Sequence, residues 1–258
     1  PTGQAGLGAA TFTTNVVTIV NDDNLVQFDR GTYTVVERSN TVSLKVVRTG
    51  AANGVVTVPF SSASVTAFAG SDFTGTSGTV RFETNVVETN IVVTILNDKL
   101  VESSETFTVS LGTQTGESAL GSTNSVTVTI LDDESTLEFG VAGVSVLESV
   151  GTQTVQVTRV GATDSSVTVP FTFINGSAAN GTDFTGGNGT LTFGVGISQQ
   201  SLSYTILNDS LVESNKAFAI ALGAAGGEAV LGAVTIVTVN ILDDDSVLQF
   251  PSPILNIA

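Results

Sequence analysis

Cysteine, histidine, tryptophan and methionine are all absent from the 258 residues of this chain, and only two tyrosines are present. Without cysteine and histidine there can be no disulfide bond, no thiol nucleophile, no zinc site built from these residues and no imidazole-based catalytic triad. Pairs of carboxylates can hydrolyse glycosides, but a chain so poor in Trp and Tyr offers few aromatic platforms for a sugar. The composition therefore predicts a protein that is not an enzyme.

Basic residues are also scarce. Lys and Arg number 8 against 24 Asp and Glu, which gives a formal net charge of −16. A nucleic-acid-binding protein needs clustered Lys and Arg for the phosphates, and an anionic membrane surface repels an acidic protein. No apolar run approaches the roughly 18 residues of a membrane-spanning helix. The sequence thus argues against nucleic acid as a partner and against direct membrane insertion.

Valine, threonine and glycine dominate what is present. β-branched residues favour strands, and glycine favours the turns between them. Apolar and polar residues alternate in several segments, for example at Phe107, Val109 and Leu111. A period of two residues indicates strands with one buried and one solvated face. Short strands separated by Gly, Asn and Ser predict an all-β fold of β-sandwiches, with about seven strands in each sandwich.

The sequence repeats itself at a constant offset of 111 residues, for example between Glu37 and Glu148. A period of this length is that of a whole domain rather than of a solenoid turn. The predicted organisation is the last strand of a preceding repeat within 1–23, a first unit at 24–134, a second unit at 135–245, and the first strand of a following repeat within 246–258.

Most of the acidic residues fall at the ends of predicted strands or in loops, at matching places in the two units. Alternate strand ends of a sandwich lie at the same pole, so these carboxylates are expected to converge. Converging carboxylates repel one another unless a cation lies between them. Ca²⁺ takes about 6–8 oxygen ligands from carboxylates, amides and backbone carbonyls. Asp-Asp after a strand is also ordinary turn chemistry, but recurrence of the whole pattern favours a calcium site.

Three motifs resemble those of the Calx-beta domain. They are the segment 97–107 (NDKLVESSETF), the closing segment 131–133 (LDD) and the loop 70–73 (GSDF). The resemblance extends over both complete units and the two partial ones. It implies an immunoglobulin-like sandwich of seven strands that binds calcium at one end, next to the following domain.

The resemblance also implies which residues bind the metal. Carried over by position, the ligands in the first unit are Glu37, Asp72, Asn97, Asp98, Glu102, Glu105, Asp132 and Asp133, and those in the second unit are Glu148, Asp183, Asn208, Asp209, Glu213, Asp243 and Asp244. Asn97 and Asn208 stand where the strongest calcium binders of the family carry Asp. An asparagine offers an amide oxygen but adds no charge.

Three basic residues stand out by their position. Lys216 aligns with Glu105 and changes the local formal charge by two units. Its ammonium group could fill part of the space of a calcium ion, or it could point into solvent; the sequence leaves both open. Arg48 and Arg159 end matching strands, where each could pair with nearby acidic groups or carbonyl oxygens; a surface role is expected.

The function expected from these observations is a non-enzymatic, extracellular, calcium-binding array. Calcium at each junction would neutralise the carboxylates and fix the angle between neighbouring units, giving a stiff spacer or adhesion rod at the cell surface. Two alternatives stay open: a structural filament or sheath subunit, and a calcium-sensing regulatory module of the kind that the family resemblance implies.

The expected partners are neighbouring repeats of the same chain or of an identical chain, joined end to end. Cell-surface or matrix components are further candidates. A lone strand within 1–23 or 246–258 would leave backbone groups unpaired and apolar side chains exposed. Each of these ends is therefore expected to pair with an adjacent repeat, either in one longer chain or by strand complementation between subunits.

Overall fold

The computed structural model describes residues 17–18 and 23–249. All of its strands lie within the two units, 24–134 and 135–245. The first unit contains nine strands and a 3-10 turn at Glu37–Ser39. In chain order the strands are β1 (Asn24–Phe28), β2 (Thr32–Val36), β3 (Thr41–Gly50), β4 (Val56–Ser64), β5 (Ser77–Phe82), β6 (Glu88–Thr94), β7 (Glu105–Leu111), β8 (Ala119–Leu120) and β9 (Ser125–Leu131).

The second unit repeats this order with one additional short strand, and its 3-10 turn lies at Glu148–Val150. Its strands are β10 (Ser135–Phe139), β11 (Gly143–Leu147), β12 (Thr152–Gly161), β13 (Val167–Asn175), β14 (Phe184–Thr185), β15 (Gly189–Phe193), β16 (Gln199–Ile206), β17 (Lys216–Leu222), β18 (Val230–Leu231) and β19 (Ile236–Leu242).

Each unit is a sandwich of two sheets. The sheets of the first unit have the orders β6-β3-β1-β8 and β2-β9-β7-β4-β5. Those of the second unit have the orders β14-β16-β12-β10-β18 and β11-β19-β17-β13-β15. Equivalent strands occupy equivalent places, so the repeat in the sequence is a repeat in the structure. The predicted fold class, all-β with tandem immunoglobulin-like sandwiches, is confirmed.

The alternating residues of the strands form the core between the two sheets. On β7, Phe107 and Val109 are fully buried, and the residues between them are only partly covered. On β3, Leu44 and Val46 are fully buried from the opposite sheet. Burial of each such side chain contributes about 1.5–3 kcal/mol to stability. The buried residues form one cluster in each unit.

The number of strands exceeds the predicted seven because the first strand of each sandwich is divided between its two sheets. β1 pairs with β3, whereas β2 pairs in parallel with β9 in the facing sheet. The chain crosses between the sheets at 29–31. Short strands such as β8 add further pairings at the sheet edges. Periodicity shows that a segment is extended, but it does not show which sheet receives it.

Strand direction brings the acidic segments of the first unit to one pole. β2 and β9 are parallel, so both end there, at Val36 and Leu131. β7 runs antiparallel to β9 and therefore begins there, and β4 ends beside it, where Ser64 pairs with Phe107. We call this end the acidic pole. Only the three residues 132–134 separate it from β10 and the second unit.

Arg48 and Arg159 are not at the surface, in contrast to the expectation, since each is only 3% exposed. Nη1 of Arg48 donates to the carbonyl oxygen of Gly54 at 3.1 Å. Nη1 of Arg159 donates to the carbonyl oxygen of Ser165 at 2.8 Å. The carbonyl groups of these turns need donors where water has little access, and a long guanidinium side chain supplies them.

The predicted last strand within 1–23 lies almost entirely outside the described residues. Of the predicted strand within 246–258, the described residues 246–249 form no strand, and Val247 and Leu248 are exposed. The pairing partners expected for these segments stay predictions. Helix among the described residues is limited to two three-residue 3-10 turns, and none of it has the length to cross a membrane.

Candidate metal centre

The loop between β4 and β5 holds Asp72 at the acidic pole. Its anchor is the next residue, Phe73, which is fully buried and stacks on Phe107 with ring centroids 4.0 Å apart and planes 12° apart. Gly70 adopts φ +97°, and its N–H donates to the carbonyl oxygen of Phe73 at 2.8 Å. This turn requires a residue without a side chain. The Asp-Phe pair thus combines a core anchor with a carboxylate at the pole.

Asp72, Glu102 and Glu105 form a first cluster, which we call the Asp72 cluster. Each offers a carboxylate oxygen, and the three oxygens lie within 4.8 Å of one another. Burial, and then a side-chain hydrogen bond with Asp72, raise the pKa of Glu105 to about 7. Burial and repulsion by Asp72 also raise the pKa of Glu102. None of the salt bridges between described residues involves these three carboxylates.

Glu37, Asp132 and Glu134 form a second cluster, which we call the Glu37 cluster, again with oxygens within 4.8 Å of one another. Glu37 is 7% exposed and Glu134 is fully buried. Burial, and then repulsion by nearby Asp98, raise the pKa of Glu37 to about 7. Burial, and then repulsion by Asp133 and Glu37, raise the pKa of Glu134 to about 8. The pole therefore disfavours the ionised carboxylates unless positive charge reaches them.

Asp98 and Asn97 organise the loop between β6 and β7. The N–H of Asp98 donates to Oε1 of Glu37 at 2.8 Å, and Oδ1 of Asp98 accepts from the N–H of Leu100 at 2.6 Å. Nδ2 of Asn97 donates to the carbonyl oxygen of Asp98. Neither side chain belongs to a three-carboxylate cluster, although the charge of Asp98 acts on both Glu37 and Glu102.

Asp133 faces away from both of these clusters. Oδ1 and Oδ2 of this fully buried side chain accept from N and Nη1 of Arg38, at 3.0 and 2.9 Å. Nη2 of Arg38 also bonds Asp164 of the second unit at 2.9 Å. Successive side chains of an extended segment point in opposite directions. Asp132 and Glu134 therefore share one side, and Asp133 lies on the other.

In the second unit the counterpart of the Asp72 cluster contains a lysine. Nζ of Lys216 donates to Oδ1 of Asp183 at 2.7 Å and also pairs with Glu213. These two carboxylates raise the pKa of Lys216. Burial tends to raise the pKa of Asp183, but hydrogen bonds from the N–H of Ala179 and from Lys216 lower it overall. The sequence leaves open whether Lys216 points into solvent or fills part of the space of a calcium ion. In the structure its ammonium group lies among the carboxylates.

The counterpart of the Glu37 cluster is intact in the second unit. It consists of Glu148, Asp243 and Asp245, whose oxygens lie within 4.8 Å of one another. Burial is the main cause of the raised pKa of Glu148. One oxygen of Asp243 and one of Asp245 are buried without a hydrogen-bond partner. This unit thus retains one of the two carboxylate clusters found in the first.

The remaining predicted ligands of the second unit lie beside this cluster. The N–H of Asp209 donates to Oε1 of Glu148 at 3.1 Å, and Nδ2 of Asn208 donates to the carbonyl oxygen of Asp209 at 2.9 Å. Asp244 turns away, as Asp133 does, and accepts from the hydroxyl group of Ser149 at 2.5 Å. The two units therefore share the same backbone arrangement around the site.

Two of the clustered residues, Glu134 and Asp245, belong to the acidic residues at strand ends that are expected to converge, but not to the ligands that the resemblance implies. Both follow an Asp-Asp pair. The alternation of side chains along an extended segment is the signal that points to them. Applied to 132–134 and 243–245, it places the first and third residues on one side. A third group, in which Glu228 joins Asp133 and Glu134, has no such signal, because 228 is distant in sequence.

The Asp72 and Glu37 clusters suit a hard divalent cation. Calcium–oxygen distances are about 2.3–2.6 Å, so two ligand atoms on one ion lie at most about 5 Å apart. The carboxylate oxygens of each cluster lie within 4.8 Å of one another and meet this condition. Oxygen is the only donor type present, which favours Ca²⁺ or Mg²⁺ over softer metals. Carboxylates that come from several loops with differing exposure favour the larger Ca²⁺, which demands a less exact geometry than Mg²⁺.

Several known proteins are similar to this chain in sequence. The family model "Calx-beta domain" matches residues 20–134 and 132–245. Sodium/calcium exchanger 1 of Rattus norvegicus is 32% identical over 244 residues, which are 85% of this chain and 25% of that protein. Adhesion G-protein coupled receptor V1 of Danio rerio is 29% identical over 246 residues, which are 86% of this chain and 4% of that protein.

Solved structures also match. The calcium binding domain CBD12 of CALX1.1 is 24% identical with a TM-score of 0.46, and the match covers 83% of this chain and 98% of that one. The chain spans about a quarter of the length of the rat exchanger. The family expected from the sequence is confirmed over both units. This chain belongs to the Calx-beta domain family and contains two consecutive members of it.

Proposed function

We propose that this chain is a calcium-sensing regulatory module in which the first unit is the principal calcium-binding domain. The observation that carries the proposal is the pair of carboxylate clusters at the acidic pole. Their oxygens lie at distances that suit one ion per cluster. Raised pKa values for Glu37, Glu105 and Glu134 mark carboxylates that gain stability when a cation arrives.

The second unit is proposed to bind fewer ions. The ammonium group of Lys216 already supplies a positive charge to Asp183 and Glu213. A calcium ion would have to displace it, whereas no basic residue forms a salt bridge with the Asp72 cluster among the described residues. The cluster around Glu148 contains no lysine and remains available. The two units thus differ in their response to calcium.

Calorimetry on the full chain tests this assignment, with Glu102→Gln and Glu213→Gln as a matched pair at one repeat position. We expect Glu102→Gln to remove at least one bound calcium ion, because it takes a charge from the Asp72 cluster. Glu213→Gln should leave calcium binding unchanged. Absence of any heat from the unaltered chain at millimolar calcium would contradict the proposal.

A second candidate function is a calcium-rigidified spacer in a cell-surface protein. The similarity to adhesion G-protein coupled receptor V1 favours it, as does the three-residue connection between β9 and β10. Affinity separates the candidates, since sensors bind calcium at roughly 10⁻⁷–10⁻⁵ M and extracellular modules at roughly 10⁻⁴–10⁻³ M. An extracellular location and end-to-end partners belong to this second candidate, and a filament with strand complementation stays a prediction.

The similarity to sodium/calcium exchanger 1 supports the sensing role over the spacer. We infer that calcium binding, rather than catalysis, is the activity of these two domains. The protein that contains them would use the bound ion as a signal, which reaches its other parts through the angle or stiffness between the two units. The junction of the units is therefore the place where a response to calcium would begin.

A further inference from the structure

Four apolar side chains project into solvent at the acidic pole of the first unit. Val65 and Phe68 lie in the loop between β4 and β5 and are 55% and 62% exposed. Leu100 and Val101 lie in the loop between β6 and β7 and are 60% and 41% exposed. We call these four residues the apolar rim. They are exposed with the second unit in place, so that unit does not cover them. Exposed apolar side chains grouped in this way mark an interaction surface.

The apolar rim lies beside the Asp72 cluster. The N–H of Phe68 donates to Oδ2 of Asp72 at 2.6 Å, and Glu102 directly follows Val101 in the chain. The N–H of Leu96 donates to the carbonyl oxygen of Asp72 at 2.9 Å, which joins the two loops. The same two loops therefore carry the apolar side chains and two carboxylates of the cluster.

The second unit has only half of this rim. Leu211 and Val212 match the pair in the loop between β6 and β7 and are likewise exposed. Gly176 and Ala179 stand where the first unit has its valine and phenylalanine. The complete rim thus accompanies the complete carboxylate cluster, whereas the incomplete rim belongs to the unit in which Lys216 pairs with the carboxylates.

A calcium ion in the Asp72 cluster would retain a ligand position for an oxygen from outside the protein. Ca²⁺ takes about 6–8 oxygens, and each of the three carboxylates has only two to offer. Oδ2 of Asp72 already accepts from the N–H of Phe68. Glu102 is exposed, so that side of the cluster faces solvent. A phosphate oxygen of another molecule can therefore complete the coordination of the ion.

Charge decides which surface the pole can approach. The chain has a formal net charge of −16, and without calcium the carboxylates of the pole repel an anionic surface. A bound calcium ion cancels two of these charges and attracts phosphate oxygens. Charges more than about 8 Å away are largely screened at physiological ionic strength, so the ion itself governs close contact. The pole therefore complements an anionic, phosphate-bearing surface only when calcium is bound.

We propose that the acidic pole of the first unit is a calcium-dependent docking surface for membranes that contain anionic phospholipids. The inference rests on the proposed function and adds a partner to it. The bound ion bridges the carboxylates and a lipid phosphate, and the side chains of the apolar rim enter the boundary between headgroups and acyl chains. A lipid surface suits side chains that project from loops, because it closes around them without a preformed pocket. This attachment is peripheral and needs no membrane-spanning segment.

Cosedimentation of the full chain with vesicles tests the proposal. The vesicles contain either phosphatidylcholine alone or equal parts of phosphatidylcholine and phosphatidylserine, in calcium or in a chelating buffer. We expect binding only to the vesicles with phosphatidylserine and only in calcium. Absence of binding under that condition, or equal binding in the chelating buffer, would overturn the proposal.

Leu100→Ser and Leu211→Ser form a matched pair at one repeat position, with side chains of similar exposure. Leu100→Ser should weaken vesicle binding about tenfold, a loss of about 1.4 kcal/mol, because it removes an apolar side chain of the rim. Leu211→Ser should bind vesicles as the unaltered chain does. Both residues are exposed, so neither substitution disturbs the core. Equal binding by the two variants would contradict a role of the rim.

Calorimetry without vesicles separates this inference from the proposed function. Leu100→Ser should bind as much calcium as the unaltered chain, since it changes no carboxylate. If the unaltered chain binds no calcium, the proposed function itself fails; if it binds calcium but no vesicles, only the docking surface fails. Sedimentation of the chain alone tests a second copy as the occupant. Calcium-dependent self-association that Leu100→Ser abolishes would assign the rim to a contact between copies and overturn the proposal.

Discussion

Nζ of Lys216 donates to Oδ1 of Asp183 at 2.7 Å, at the position where the first unit has Glu105 beside Asp72. A single substitution between the repeats thus exchanges a carboxylate that repels its neighbours for an ammonium that attracts them. Asp183 and Glu213 of the second unit are paired with this lysine, whereas Asp72, Glu102 and Glu105 of the first unit form no salt bridge among the described residues. The two units therefore differ in the charge of this cluster, although their strands occur in the same order.

Lys216→Glu should add a calcium site to the second unit, beside the Glu148 cluster that already remains available there. The substitution replaces the ammonium by a third carboxylate beside Asp183 and Glu213, which restores the composition of the Asp72 cluster. We expect calorimetry to detect at least one additional calcium ion per chain. The control is Lys45→Glu, which makes the same charge change on the exposed surface, where Lys45 pairs with Glu88. Equal binding by both variants would show that net charge, not the site, controls the stoichiometry.

The stability of the metal-free protein should decrease from pH 5 to pH 8.5. The pKa values of Glu37 and Glu105 are raised to about 7, and that of Glu134 to about 8, from 4.5. When the folded pKa of a carboxyl group exceeds its unfolded pKa, the unfolded state releases the proton first. The stabilisation that these three groups contribute is then fully present below about pH 4.5 and is lost as the pH rises through 7 to 8.

Thermal unfolding in a chelating buffer at several pH values measures this effect. Glu37→Gln should make the melting temperature depend less on pH, because it removes one of the carboxyl groups with a raised pKa. Glutamine has nearly the same size and shape as glutamate. Saturating calcium should reverse the trend, since protons compete with the ion for the same oxygens and binding tightens as the pH rises. A melting temperature that rises steadily from pH 5 to pH 8.5 in the metal-free protein would contradict the assignment.

The sequence predicts the strands well because alternation is a local property. β7 and β3 appear where apolar residues alternate, and the repeat offset places their counterparts β17 and β12. The crossing of the chain between β1 and β2 is not predictable in this way, because either sheet would bury the same apolar residues. The destination of that segment depends on its parallel pairing with β9, a contact between residues about 95 positions apart.

In the candidate site, too, residues near strand ends can be predicted from the sequence, whereas contacts between segments distant in sequence cannot. Strand ends and repeat matching identify Asp72, Glu102 and Glu105, which the structure brings together. Glu134 is absent from the ligands that the resemblance implies, although alternation along 132–134 places it beside Asp132 and turns Asp133 away. Glu228 is beyond the reach of such reasoning, because its proximity to Glu134 arises from the docking of β18 along β10.

Phe73→Ala should destabilise the first unit by about 3–5 kcal/mol, the usual cost of removing a fully buried phenylalanine. It should also weaken calcium binding, because the ring stacked on Phe107 anchors the loop that carries Asp72. Urea unfolding measures the first effect and calorimetry the second. Phe68→Ala is the control, since this phenylalanine lies in the same loop but is 62% exposed. Similar losses in both variants would show that the stack does not anchor the loop.

Arg38→Ala should destabilise the metal-free chain by about 1–3 kcal/mol, the cost of leaving a buried hydrogen-bonding group without its partner. Asp133 is fully buried and Arg38 provides its only salt bridge among the described residues. Asp164→Asn removes the other partner of Arg38, but that carboxylate is 47% exposed, so its loss should cost less than about 1 kcal/mol.

Urea unfolding of the two variants, with and without calcium, separates the contributions of these two ion pairs. Calcium should reduce the deficit of Arg38→Ala, because Asp133 is among the ligands expected from the sequence and an ion at the acidic pole would supply positive charge to it after the guanidinium is gone. The deficit of Asp164→Asn should not change with calcium, since Asp164 belongs to none of the carboxylate groups that could hold a metal ion. A deficit in Arg38→Ala that is the same with and without calcium would mean that the ion does not reach Asp133.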